Sequence, residues 1–126
     1  MFGKIAIAAC LCCALHAGVA AAEAPPAPVM MVHFDYYPEN LARIRALERR
    51  LARAVKRAGV GELGETEFHA DGNDGYLYLY GPDAARLYAV ARPILNASRL
   101  MRKAEVSKLD AAGAATPMAP VGAGRG

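Results

Sequence analysis

The chain has 126 residues, a formal net charge of +3 and 21% charged side chains. This length accommodates one domain, and so small a net charge gives no argument for nucleic acid or a membrane surface as a partner. The cysteines Cys10, Cys12 and Cys13 all fall near the N-terminus. The rest of the chain therefore offers no disulfide framework, thiolate nucleophile or cysteine metal site.

Residues 1–22 have the pattern of a secretory signal peptide. Lys4 provides a positive start, an apolar run follows at 5–19, and residues 20–22 are alanines that suit a cleavage site. We expect cleavage before Glu23. The apolar run is shorter than the roughly 20 residues that a membrane span needs, so we expect no stable membrane insertion after cleavage.

Two alternatives concern the same N-terminal segment. Cleavage after Ala24 is the nearest alternative to cleavage after Ala22. The residues that end in Cys10 are similar to a bacterial lipobox, but the apolar stretch between Lys4 and Cys10 is too short for a normal signal. The sequence thus predicts an exported protein, periplasmic or secreted, whose folded part follows a Pro/Ala linker at 23–28.

The stretch Gly64–Gly81 predicts a β-hairpin around which the other elements are arranged. Apolar and polar residues alternate on both sides of Gly72-Asn73-Asp74-Gly75, and these four residues suit the positive φ angles of a hairpin turn. The second strand is expected to run from Glu65 to Asp71, and the third is expected to carry Tyr76, Tyr78 and Tyr80.

The remaining elements follow from hydrophobic periodicity and from helix start and stop signals. Val29–Asp35 alternates like a strand, Glu39–Ala58 has a helical apolar stripe that ends at Gly59, and a second helix opens at Pro82-Asp83. Pro93 is expected to kink or end that helix. Lys103–Asp110 predicts a last strand, and 111–126 predicts a disordered tail. The expected apolar stripes are Leu41, Ile44, Leu47, Leu51, Val55 and Ala58 in the first helix, and Ala84, Leu87, Tyr88, Ala91, Ile94 and Leu95 in the second.

The order strand, helix, strand, strand, helix, strand over 29–110 resembles the ferredoxin-like α/β-plait. This resemblance in topology implies an α+β fold with a four-stranded antiparallel sheet in the order 4-1-3-2 and both helices on one face. The segment GPDAARLYAVARPIL after a Tyr-rich strand is also similar to small uncharacterised bacterial proteins, and that similarity implies no activity.

The resemblance divides the strand residues into two sets. The set expected beneath the helices is Met30, Val32, Phe34, Phe68, Leu77, Leu79 and Val106. The set expected on the open face, which we take as the candidate interaction surface, is Met31, His33, Glu67, His69, Tyr76, Tyr78 and Tyr80. Further residues expected on that face are Asp35, Glu65, Asp71, Glu105, Ser107 and Leu109.

Three tyrosines in a row on a central strand would form an aromatic platform with polar tips, a combination that is enriched at interfaces. Half-exposed tyrosines are also simply good strand formers. The first hypothesis is an exported binding domain that uses this face for a protein partner or for a second copy of itself.

Nucleic-acid binding is not expected, although Asp74–Tyr80 overlaps the third-strand signature of RNA-recognition modules. Asp74 stands where that signature requires a basic residue, and Leu77 stands where it requires a small one. Glu65 and Glu67 beside the platform would repel phosphate.

The second hypothesis is a small hydrolytic or metal-dependent enzyme that uses His33, His69 and Glu67. The two histidines would lie two strands apart, and no HxxxH, HxH or CxxC spacing accompanies them. Asp71-Gly72-Asn73-Asp74-Gly75 departs from a calcium-binding loop, because Gly75 falls where a ligand belongs. No catalytic, cofactor or metal residue is therefore assigned, and no cofactor is expected.

Overall fold

The computed structural model describes residues 27–118. The predicted signal peptide, most of the predicted linker and the last residues of the predicted tail lie outside this part of the chain. The described part is an α+β fold with two helices and one antiparallel sheet of six strands. Within residues 27–118, neither helix combines the length and the apolar character that crossing a membrane requires.

The strands are β1 (Met30–Asp35), β2 (Glu62–Leu63), β3 (Glu67–His69), β4 (Asp74–Tyr80), β5 (Glu105–Leu109) and β6 (Ala115–Pro117). The helices are α1 (Leu41–Ala58) and α2 (Ala84–Asn96), and single 3₁₀ turns occupy Pro38–Asn40 and Arg99–Met101. The sheet order is β2-β4-β1-β5-β6, and β3 also pairs with β4. The sheet therefore has six strands where four were expected.

The predicted second strand is two short strands. Both β2 and β3 pair with β4, but Glu62 lies opposite Tyr80 while Glu67 lies opposite Tyr76, so the register shifts by one residue between them. Glu65 falls in the interruption and Asp71 falls in the turn, and placing these two residues in a strand was wrong. Such an interruption blunts an exposed sheet edge.

The hairpin turn lies two residues earlier than predicted, at residues 70–73. Asn73 supplies the positive φ, at 54°, and its carbonyl accepts a hydrogen bond of 2.9 Å from the Tyr36 amide at the end of β1. Asp74 and Gly75 are residues of β4 and do not belong to the turn.

The sheet also continues beyond Asp110, into the segment that was expected to be a disordered tail. The Asp110 carboxylate accepts hydrogen bonds from the amides of Ala112 and Ala114, at 2.9 and 2.8 Å. This turn returns the chain so that β6 pairs with β5. The edge of β5 is therefore covered within the described residues.

Both helices pack their apolar stripes on one side of the sheet. Gly59, with φ at 68°, ends α1 in the left-handed conformation, and the Asp83 carboxylate accepts hydrogen bonds from the first amides of α2. Pro93 does not end α2, which continues to Asn96. The buried helix residues are Ile44, Leu47, Leu51 and Val55 in α1, and Ala84, Leu87, Ala91 and Leu95 in α2.

Two members of the predicted α1 stripe are exposed. Leu41 is 39% exposed because it is the first residue after the 3₁₀ turn, and Ala58 lies exposed in the last turn. In the second predicted stripe, Tyr88 and Ile94 are only partly buried.

The alternation of side chains along the strands determines which strand residues belong to the hydrophobic core. The buried strand residues are Met30, Val32, Phe34, Leu77, Leu79 and Val106, as expected, whereas Phe68 is partly buried. Tyr36, directly after β1, is 6% exposed and packs against Phe68 at 4.5 Å between ring centroids.

Gly75 of β4 lies where the surrounding atoms leave no room for a side chain. A Cβ atom there would lie 2.7 Å from the Phe34 ring and 3.0 Å from the Glu67 carbonyl oxygen. We expect Gly75→Ala to lower the free energy of unfolding by about 1–3 kcal/mol, the usual cost of overpacking a core. Urea unfolding monitored by circular dichroism measures it.

Gly72→Ala is the matched control, since its added Cβ would meet no ring or backbone atom and its nearest neighbour, the Asp74 carboxylate, lies farther away at 3.1 Å. Equal stability of the Gly75→Ala variant and the parent chain would contradict the packing of Phe34 over Gly75.

Candidate functional site

The predicted interaction residues lie on three adjacent strands. They are Met31, His33, Glu67, His69, Tyr76, Tyr78 and Tyr80, on β1, β3 and β4. Each alternates with a residue directed toward the helices, so all seven share the opposite side of the sheet. Glu67 and His69 are exposed, and the other five are half-buried. We call this surface the tyrosine face.

Cross-strand pairing orders the tyrosine face into rows. His33 lies opposite Tyr76, Tyr76 lies opposite Glu67 on its other side, and Glu105 of β5 extends the row beyond His33. The next row contains Tyr78, Met31, Ser107 and Pro117. Directly opposed side chains lie close enough to interact, so the rows form a continuous surface across the sheet.

The rings on this face stack. His33 and Tyr76 have centroids 4.5 Å apart and planes inclined by 13°. Tyr76 and Tyr78 follow with centroids 6.3 Å apart and planes inclined by 17°. His69 meets the edge of Tyr76 at 5.4 Å. These spacings lie in the range of favourable aromatic pairs, so the rings support one another as a platform.

Asp74 joins the two histidines. His33 Nε2 lies 2.8 Å from Asp74 Oδ2, and His69 Nδ1 lies 3.5 Å from Asp74 Oδ1. Asp74 was predicted to belong to the turn, and its contact with the histidines was not predicted. Extending the alternation of Tyr78 and Tyr76 back by one step places Asp74 on the same face, and that signal was present in the sequence.

The environment of His33 favours its protonated form. The hydrogen bond to Asp74 is the largest cause of a raised pKa, burial opposes it, and Glu105 at 3.6 Å adds to it. An imidazolium at this position would be held between two carboxylates and against the Tyr76 ring.

Tyr78 and Glu67 form the second polar pair of the face. The Tyr78 hydroxyl donates to Glu67 Oε1 at 3.0 Å. Burial, and next the bond to Glu67, raise the pKa of Tyr78 to about 12. The phenol therefore stays neutral at ordinary pH, and the negative charge of the pair lies on Glu67.

Helix α1 holds the segment that carries Glu67. Thr66 donates a hydrogen bond to Glu48 of α1, and Glu48 is paired with Arg45 at 2.9 Å. The Arg45 guanidinium lies 5.2 Å from the centroid of the Phe68 ring. These contacts position β3 against the helix layer although β3 has only three residues.

The residues grouped in the enzyme hypothesis are not brought together as one set. Both histidines meet Asp74, whereas Glu67 is bonded to Tyr78. Across residues 27–118, no three His, Cys, Asp or Glu side chains are placed to hold a metal ion together.

Comparisons with protein-family models, with curated proteins and with solved structures found no match for this chain.

The raised pKa of His33 predicts a pH-dependent stability. Because the folded pKa lies above the ordinary value of 6.5, protonation favours the folded state below that value. This stabilisation is lost as the pH rises through the folded pKa. The free energy of unfolding should therefore fall as the pH rises above about 6.5, which urea titrations at several pH values measure.

Asp74→Asn should remove much of that fall, since Asp74 is the main cause of the raised pKa. Asp71→Asn in the adjacent exposed turn removes the same charge and should preserve the pH dependence. An unchanged slope in Asp74→Asn would contradict the role given to the His33–Asp74 bond.

Proposed function

We propose that this chain is an exported binding domain whose tyrosine face contacts a protein partner. One observation carries the proposal: the rings of His33, Tyr76 and Tyr78 form a continuous stack on β1 and β4, on the side of the sheet away from both helices. Large rings that are fixed by their neighbours lose little conformational entropy when a partner covers them.

The form of the sheet supports a broad contact. We propose that the fold is a ferredoxin-like plait in which β2 and β3 act as one interrupted strand and β6 is an addition. The uncovered side of such a sheet can supply about 800 Å², the amount that each partner contributes to an ordinary interface. The partner is either another protein or a second copy of this chain.

Export to the periplasm or the medium is part of the proposal, and it is supported by the sequence pattern of residues 1–22. Mass spectrometry of the chain from the producing cells should give an N-terminus at Glu23, or at Pro25 for the alternative cleavage. An intact N-terminus or a lipid on Cys10 would contradict this prediction.

Hydroxyl-radical footprinting tests the binding face. We expect Tyr76 and Tyr78 to be oxidised several-fold more slowly in the exported fraction of the producing cells than in the dilute purified chain, because a partner would cover them.

Light scattering on the purified chain distinguishes the two kinds of partner, since a homodimer that depends on the face should lose its doubled mass in Tyr78→Ala.

Tyr37 is the internal control for the footprint. It is 45% exposed and follows β1 outside the face, so its oxidation should be alike in both samples. Equal oxidation of Tyr76 and Tyr78 in the two samples, together with a monomeric mass of the purified chain in light scattering, would contradict the proposal.

A further inference from the structure

A groove opens at the margin of the tyrosine face, where β4 meets the interruption between β2 and β3. Its volume is about 460 Å³, and it is lined by Pro28, Glu65, Thr66, Glu67, Tyr78 and Tyr80. Two tyrosines that are neighbours on one face of β4 and two glutamates thus line a single concavity. We call it the tyrosine–glutamate groove.

The lining of the groove has the chemistry of a cation site. The Tyr78 hydroxyl donates to one oxygen of Glu67 at 3.0 Å, which leaves the other oxygen to accept from a ligand. Glu65 is exposed beside it. The faces of aromatic rings attract cations, and carboxylates next to a ring strengthen that attraction.

The charges of the strand residues around the groove also favour a cation as its ligand. The acidic strand residues on this side of the sheet are Asp35, Glu62, Glu67, Asp74 and Glu105. Among the described strand residues that share this side, none is Lys or Arg. The charged strand residues of this side are therefore acidic although the whole chain carries a net charge of +3. Arg45 and Arg49 of α1 line a neighbouring concavity that also contains Glu65 and Thr66.

The positive charge is concentrated in the helix layer. In α1 the basic side chains are Arg43, Arg45, Arg49, Arg50, Arg53, Lys56 and Arg57, against the single acid Glu48. A phosphate-bearing or acidic partner would be repelled from the tyrosine face, whereas a basic one would be attracted to it.

We propose that the tyrosine–glutamate groove binds an arginine side chain from a basic segment of the protein partner. This inference rests on the proposed binding function and names the chemistry of the partner. A guanidinium group can stack on a tyrosine ring while its N–H fork pairs with a carboxylate, and an ammonium group cannot do both in that geometry. The remaining carboxylates of the face attract the other basic residues of the segment.

The probe is a hexa-arginine peptide, titrated into the ¹⁵N-labelled chain and followed by NMR, with hexaglutamate and hexalysine in parallel. We expect hexa-arginine to shift the amide resonances of residues 65–67 and 78–80, more weakly at high salt. Hexaglutamate should shift none of them, and hexalysine should bind more weakly than hexa-arginine.

Glu67→Gln is the decisive variant, because the amide oxygen can still accept from Tyr78 while the charge is lost. It should weaken hexa-arginine binding roughly fivefold or more, the loss of one charge-assisted contact. Glu39→Gln, in the 3₁₀ turn before α1, removes an equal charge away from the groove and should leave the affinity unchanged.

Absence of hexa-arginine binding, equal binding by Glu67→Gln, or equal binding of hexalysine would overturn the inference. A doubled mass that Tyr78→Ala abolishes would identify a second copy as the occupant and would overturn it too. Protection of Tyr76 and Tyr78 in the footprint without hexa-arginine binding would leave the proposed function standing and reject only the arginine partner.

Discussion

The antiparallel pairing of β1 with β4 is the constraint on which the rest of the structure depends. All six residues of β1 have partners in β4, from Met30 opposite Leu79 to Asp35 opposite Asp74. One set of alternating residues is fully buried beneath the helices, and the other set forms the tyrosine face. A slip of one residue would exchange the two sets, so burial of the apolar set specifies the register strongly.

The same pairing explains why polar groups accumulate on one side without destabilising the core. The buried side of the sheet contains apolar side chains, and within residues 27–118 no buried polar side-chain atom lacks a hydrogen-bond partner. The carboxylates and histidines of β1, β3 and β4 instead lie on the other side of the sheet, where hydrogen bonds such as His33–Asp74 and Tyr78–Glu67 and exposure to solvent satisfy them. The basic residues of α1 belong to the helix layer, so they and the acidic strand residues of the tyrosine face lie in different layers of the described fold.

The sequence predicted those features that depend on local periodicity. Alternation in β1 and β4 placed Leu77 and Leu79 in the core, and the 3.6-residue period found the buried stripe of α1. The residues Gly72–Gly75 are typical of a hairpin turn. Because Asp74 was assigned to that turn, its position on the tyrosine face was not predicted.

Features that depend on pairing between strands far apart in the sequence were not predicted. β6 is a short, exposed Ala-Thr-Pro strand whose order comes from the Asp110 turn and from pairing with β5. The interruption between β2 and β3 comes from a register shift relative to β4, and no local pattern in the sequence indicates that shift. The tyrosine–glutamate groove follows from that interruption, and so it could not be predicted from the sequence.

An NMR experiment on the purified chain tests most directly which side chains of β4 face the helices and which face solvent. The account predicts NOEs from the methyl groups of Leu77 and Leu79 to methyl groups of α1 and α2. It also predicts that a water-soluble paramagnetic agent broadens the ring resonances of Tyr76 and Tyr78. NOEs from those two rings to the helices, together with broadened Leu77 and Leu79 methyl resonances, would contradict the account.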